Sequence, residues 1–118
     1  MIKGLAATTI FSEDHSVLAP FYRDVIGLEV SEESPGEIVF GPPNGPWLLV
    51  ASHSEVHGQS KEPARHIPSL EVDDLAAEYD RLRAKGVEFL AAPTVEEGIG
   101  FATFRDPEGN LVNLLQFP

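Results

Sequence analysis

The feature that most constrains the fold is a weak internal duplication with a period of about half the chain. The segment Gly27–Val30 recurs as Gly86–Phe89, and each copy follows a run of apolar residues spaced i, i+4, i+7. This spacing puts one apolar stripe on a helix and predicts one helix in each half. The stripe residues are Leu18, Tyr22 and Val25 in the first half and Leu75, Tyr79 and Leu82 in the second.

Each predicted helix has an acidic segment before it and a glycine after it. An N-cap can come from the segment Ser12–Asp14 in the first half and from Asp73–Asp74 in the second. Gly27 and Gly86 suit the left-handed position that follows a helix. We expect the first helix to start near residue 16 or 17, which would place Pro20 in the first turn, where a missing N–H is tolerated.

Short strands are predicted before and after both helices. Residues 6–11 and 67–72 precede the helices, and three strands follow each one, at about 28–33, 37–41 and 46–51, then 87–90, 99–105 and 110–117. The turn before the last strand is Pro42–Pro46 in the first half and Asp106–Asn110 in the second, where proline, glycine and side chains that bond nearby backbone favour a tight turn.

Composition limits the class of protein. The 118 residues are 42% hydrophobic, enough for one domain over 1–118, with modules at about 1–58 and 64–118. The net charge of −11 argues against nucleic acid and anionic membrane partners, which require basic residues. There is no cysteine, no apolar run of transmembrane length and no secretory signal pattern, so we expect a cytoplasmic protein.

The turn and strand Phe104–Gln116, the segment Phe21–Leu28 and the duplication together resemble the vicinal oxygen chelate superfamily of glyoxalases, bleomycin-resistance proteins and extradiol dioxygenases. The resemblance covers essentially the whole chain. It implies an α+β fold in which two βαβββ modules form an incomplete eight-stranded barrel, with helices outside and a ligand in the concave cup. It also implies a homodimer.

Strand alternation predicts which side chains line this cup, because successive residues point to opposite faces. Every second residue of the first, fourth, fifth and last strands turns inward, and most of these residues are apolar. We predict a small-molecule site whose ligand contacts are Phe11, Trp47, Leu49, Ile67, Ser69, Leu111 and Asn113.

The resemblance also implies where a metal would bind. Metal-using members carry His, Glu or similar ligands on those four strands, and the last is commonly a glutamate. The matching residues here are Ala7, Leu49, Ile67 and Asn113, of which only the amide offers a ligand atom. We therefore expect no metal and no other cofactor.

Three histidines are reserve metal candidates. His53 and His57 have a spacing that would share one face of a helix, but they lie among polar residues after a strand. His66 precedes the fifth-strand position by one residue, so only a bulge would turn it inward.

The sequence is compatible with two functions. The first is a metal-independent protein that binds an apolar or aromatic ligand, with the acidic balance leaving a cationic ligand open. The alternative is a metal-dependent lyase, isomerase or dioxygenase of the same superfamily. Glu71 is a weak candidate for a catalytic acid or base, since it is the one carboxylate on the predicted lining.

Overall fold

A computed structural model describes residues 1–118 as two compact units, Met1–Gly58 and Gln59–Pro118. Both units combine helix and sheet, which confirms the predicted α+β class. The first unit contains β1 (Ala7–Ser12), α1 (His15–Pro20), β2 (Val30–Ser34), β3 (Glu37–Phe40) and β4 (Trp47–Ser52). The second contains β5 (Ser69–Glu71), α2 (Leu75–Ala84), β6 (Glu88–Phe89), β7 (Thr94–Glu96), β8 (Ile99–Arg105) and β9 (Leu111–Gln116).

The two sheets share one topology, as the duplication predicts. The first sheet has the order β1-β4-β3-β2, and the second has the order β5-β9-β8-β6. In both sheets the first strand of the unit runs parallel to the last strand, and the other pairs are antiparallel. The second unit adds the short strand β7, which pairs with β8 and was not predicted.

The first helix begins at His15, just before the expected start at residue 16 or 17, and it continues differently. Asp14 is the N-cap, and its carboxylate accepts from the backbone N–H of Ser16 at 3.0 Å. Because α1 starts at His15, Pro20 is its sixth residue, so the expectation that Pro20 lies in the first turn is wrong. Beyond this residue, which has no N–H to donate, Phe21–Ile26 forms a π-helical segment.

The π-helical segment ends at Gly27, as predicted. The N–H of Gly27 donates to the carbonyl of Tyr22 at 3.1 Å, and Gly27 has a φ of 89°. A residue with a Cβ rarely adopts this left-handed conformation, so the glycine allows the chain to leave the helix there.

The second helix is tied to its sheet at its first residue. Asp74 caps it by accepting from the N–H of Ala77 at 3.0 Å. The side-chain oxygen of Gln116 in β9 accepts from the N–H of Leu75 at 2.7 Å. This bond satisfies a second of the N–H groups that a helix start leaves without a backbone partner.

The cores lie between each helix and the adjacent face of its own sheet. In the first unit Leu18, Tyr22, Phe40 and Val50 are fully buried. In the second, Leu82, Phe104 and Val112 are buried, and Tyr79 contacts Phe89, which contacts Phe104, with ring centroids 4.8 and 5.9 Å apart. Burying such a side chain contributes about 1.5 to 3 kcal/mol, so these faces stabilise each unit and leave the opposite sheet faces for other contacts.

The predicted turn between β8 and β9 is organised by one carboxylate. Asp106 is 3% exposed and accepts from the N–H groups of Glu108 and Asn110, both at 2.9 Å, and from the Asn110 amide at 2.9 Å. The segment before β5 contacts the same turn. The Gln59 amide donates to the Pro107 carbonyl at 2.9 Å, and the N–H of Ser60 donates to the Glu108 carbonyl at 2.8 Å.

Neither helix meets the length and hydropathy that crossing a membrane requires.

Candidate ligand-binding site

The open face of the second sheet is the face that does not pack on α2. In β9, Val112 and Leu114 are buried and Gln116 bonds to the start of α2. Alternation therefore places Asn113 and Leu115 on the open face, where both are half-buried. Asn113 is one of the ligand contacts predicted from the sequence, and the structure places it on this open face.

Asn113 lies at the centre of a polar row that crosses three strands. Its direct neighbours are Ser69 in β5 and Thr103 in β8. The Thr103 hydroxyl donates to Asn113 Oδ1 at 2.6 Å, and Asn113 Nδ2 lies 3.4 Å from Ser69 Oγ. The row Ser69–Asn113–Thr103 is thus a connected hydrogen-bonding surface flanked by apolar residues of the same face.

The rows on either side contain charged residues. In one of them, Arg105 lies opposite Leu111 and 3.4 Å from the Glu88 carboxylate, which is well exposed. In the other, Glu71 lies opposite Leu115, and its side chain is exposed at the last residue of β5. The weak catalytic candidate Glu71 is therefore solvated.

Two predicted contacts of the second unit lie at the margins of this face. Leu111 is only 6% exposed, so its side chain already packs within the structure. Ile67 is half-buried and precedes β5 by two residues, outside the paired part of the strand.

The open face of the first sheet is apolar around Leu49. This residue is half-buried and lies between Thr9 of β1 and Val39 of β3. At the end of the same face, Phe11 is 45% exposed, and its ring meets the His53 ring edge-on with centroids 5.1 Å apart. The structure thus brings the predicted contact Phe11 together with a histidine that was predicted only as a reserve metal ligand.

Trp47 has a structural partner of its own. Its indole Nε1 donates to the Pro42 carbonyl at 2.8 Å, and its ring lies against Gly45, where a Cβ would come within 3.2 Å of the ring. The side chain therefore holds the Pro42–Pro46 turn as well as lying at the start of β4. We expect only its outer part to be available to a ligand.

The three reserve histidines lie outside regular helix and strand. His53 Nδ1 accepts from the N–H of Glu55 at 3.0 Å, and His57 Nδ1 lies 3.4 Å from the Glu13 carboxylate. The segment between them is a turn, so the two rings do not share a helix face. His66 is exposed at the end of a short 3-10 turn, Pro63–Arg65.

The residues at the positions implied for a metal do not fit one. Ala7 and Leu49 are hydrocarbons on neighbouring strands of the first sheet, and Ile67 is a hydrocarbon before β5. Asn113 Oδ1, the one possible ligand atom, already accepts the Thr103 hydroxyl. No group of three or more His, Cys, Asp or Glu side chains is placed to hold a metal ion.

Sequence reasoning missed the residues that β8 contributes to the open face, among them Thr103 and Arg105. Both could have been found from alternation, because Ala102 and Phe104 read as core positions and put Thr103 and Arg105 on the other face. The pairing of Thr103 with Asn113 could not have been found in this way, because it depends on the register between β8 and β9.

Residues 4–114 match the Glyoxalase/Bleomycin resistance protein/Dioxygenase superfamily, and the chain belongs to this family. It is 28% identical over 131 residues to the uncharacterized protein YurT of Bacillus subtilis, covering 95% of this chain and 98% of YurT. It is 25% identical over 120 residues to the uncharacterized protein YetH of the same organism, covering 94% of this chain and 96% of YetH.

A solved structure shares the fold. A glyoxalase/bleomycin resistance protein/dioxygenase from Nocardioides superimposes with a TM-score of 0.77 over 99% of this chain and 85% of that chain, at 18% identity. At this identity the likeness concerns the fold alone.

Proposed function

We propose that this protein is a metal-independent, small-molecule-binding member of its family, which holds an apolar or aromatic ligand on the open face of its second sheet. The observation that carries the proposal is the environment of Asn113. Where metal-using relatives commonly place a glutamate, this chain has an amide that hydrogen-bonds Thr103 and lies 3.4 Å from Ser69. An amide in such a row can orient a neutral polar group through hydrogen bonds.

The surroundings of Asn113 support the same function. Binding sites for small molecules are mostly apolar, with a few placed polar groups that set orientation. The open face of the second sheet has this composition, since half-buried Phe101 and Leu115 lie opposite each other in the row next to the polar row. The ligand would make apolar contacts over most of its surface and polar contacts at Asn113.

Metal analysis of purified protein after dialysis tests metal independence. We expect Zn, Ni, Fe and Mn all well below one equivalent. A stoichiometric metal that survives dialysis would overturn the proposal in favour of a metal-dependent lyase, isomerase or dioxygenase.

Asn113→Ala tests the role of the amide, with Asn44→Ala in the exposed Pro42–Pro46 turn as the matched control. We expect both variants to keep the fold and the metal content of the wild type. Only Asn113→Ala should change binding of aromatic probes with a polar substituent, by about two- to tenfold, as for one net hydrogen bond. Loss of a bound metal in Asn113→Ala would identify this residue as a metal ligand and refute the assignment.

A further inference from the structure

We infer that the polar group of the ligand at Asn113 is a hydrogen-bond acceptor of the carbonyl type. This inference rests on the proposed function and names the ligand chemistry of that site. It follows from the direction in which the Asn113 amide is held, and from the donors that the row Ser69–Asn113–Thr103 leaves available.

The amide orientation is set by Thr103. The distance of 2.6 Å between Thr103 Oγ1 and the Asn113 side chain is typical of an O–H···O bond and short for an N–H···O bond. The atom of Asn113 that faces Thr103 is therefore the oxygen. The amide nitrogen consequently points the other way, towards Ser69 on β5.

Two donors of this row take part in no hydrogen bond. An amide has two N–H groups, and only one of them can be directed at Ser69 Oγ, whose distance of 3.4 Å indicates a weak bond. The second N–H has no partner in the structure, and neither has the proton of the exposed Ser69 hydroxyl. Each of the three side-chain oxygens of the row, by contrast, already takes part in one hydrogen bond, so the groups that still lack a partner are the two donors.

The neighbouring charges leave a neutral acceptor as the best match. Arg105 lies on the same face two residues beyond Thr103, which is about 7 Å along the strand. Glu71 lies two residues beyond Ser69 in the adjacent row on β5. Arg105 already pairs with the Glu88 carboxylate at 3.4 Å, and Glu71 would repel a second anion, whereas a ketone or amide oxygen meets the two donors without this repulsion. Neutral and anionic oxygens both accept hydrogen bonds, and a comparison of acetophenone with benzoate distinguishes the two.

The test uses matched aromatic probes that differ in one substituent: acetophenone as a neutral acceptor, benzoate as an anionic acceptor, benzylammonium as a cationic donor, and ethylbenzene as an apolar reference. Binding to ¹⁵N-labelled wild-type protein is followed by chemical shifts of β5, β8 and β9 and of the Asn113 side-chain amide. At 1 M salt, which screens the field of the acidic surface, we expect acetophenone to bind about three- to tenfold more tightly than ethylbenzene, the range of one or two modest hydrogen bonds. Benzylammonium should then bind no more tightly than ethylbenzene.

Two variants connect the preference to the amide direction. Thr103→Val removes the hydroxyl that holds Oδ1, and we expect it to reduce the acetophenone preference to less than twofold. Thr103→Ser keeps the hydroxyl and should retain the preference. In the wild type, nuclear Overhauser contacts from the Asn113 amide protons should reach the Ser69 Hβ protons rather than the Thr103 methyl group.

The outcomes separate the two proposals. If no probe shifts the resonances of this face, the proposed function fails, and the inference fails with it. If probes bind there but benzylammonium equals or exceeds acetophenone, or Thr103→Val leaves the preference intact, the inference alone is overturned. Tighter binding of benzoate than of acetophenone keeps an acceptor ligand and identifies it as anionic.

Discussion

At the scale of single residues, Asp106 is the side chain on which the predicted turn depends most. It is 3% exposed and accepts three hydrogen bonds from Glu108 and Asn110. Asp106→Ala would remove the acceptor of all three hydrogen bonds and leave a space at a buried position. We expect it to lower the free energy of unfolding by about 2 to 4 kcal/mol, measured by urea denaturation.

Two further variants control this prediction. Asp106→Asn keeps one oxygen acceptor and should fall between the wild type and Asp106→Ala. Asp24→Ala removes an exposed aspartate that pairs with Arg23 at 2.9 Å, and such pairs contribute about 0 to 1 kcal/mol. If Asp106→Ala costs no more than Asp24→Ala, the carboxylate does not organise the turn.

At the scale of elements, the start of α1 should respond to acid. The Ser16 hydroxyl and N–H bond the Asp14 carboxylate and hold its pKa below the usual value of 3.8. The stability that this shift provides is present above the unfolded-state pKa and is lost as the pH falls through the lower folded-state value. We expect Asp14→Asn, which keeps a capping side chain, to melt at a lower temperature than the wild type at pH 6.

The melting difference between the two proteins should depend on pH in one direction only. The difference between wild type and Asp14→Asn should stay constant above about pH 5 and shrink below about pH 4. Asp80→Asn, in the middle of α2 rather than at its N-cap, is the matched control and should show no such change. A difference that grows as the pH falls would contradict the capping role of Asp14.

Local chemistry explains which elements could be predicted from sequence. The caps Asp14 and Asp74 and the left-handed Gly27 and Gly86 follow from the preferences of single residues, and the structure confirms all four. The strand Thr94–Glu96 could not be predicted, because its residues are exposed and show no apolar alternation. It exists only through its pairing with β8.

For the candidate site too, one part could be predicted from the sequence and another part could not. Alternation alone placed Asn113 and Leu115 on the open face of the second sheet. The hydrogen bond from Thr103, which fixes how Asn113 can meet a ligand, depends on the register of two strands. Likewise the contact of Phe11 with His53 joins residues from separate segments, and no sequence spacing indicates it.

At the scale of the whole molecule, we expect a homodimer. Strand β1 lies at one edge of the first sheet, and unpaired strand edges are sites where a second copy can add. The chain leading to β1 exposes three large apolar side chains, Met1, Ile2 and Leu5. Sedimentation at tens of micromolar should therefore give twice the 12.8 kDa monomer mass, and a monomer alone would contradict the prediction.

A pair of variants tests where the dimer forms. Leu5→Asp places a charge beside the β1 edge and should weaken the dimer. Val17→Asp, which also replaces an exposed apolar residue but lies on α1, should not. Equal weakening by both variants would place the interface elsewhere.

The net charge of −11 should affect the rate at which charged ligands are captured. Exposed carboxylates lie on the edge strand β2, in the loop after β4 and at the end of β7, and the residues are Glu32, Glu33, Glu55, Glu96 and Glu97. Negative potential accelerates the encounter with cations and slows anions. Aromatic ketones that carry a remote trimethylammonium group should therefore associate faster than matched sulfonates at low salt.

Ionic strength distinguishes steering from direct contact. The screening length falls from about 10 Å at 0.1 M salt to about 3 Å at 1 M, so a difference in association rate that arises from the field should largely disappear over this range. The double variant Glu32→Gln/Glu33→Gln, on the edge strand β2, should reduce the difference at low salt. A cation preference that ignores salt and this variant would instead indicate a specific contact with the cationic group. Equal association rates for cation and anion at low salt would leave the acidic residues with no role in ligand capture.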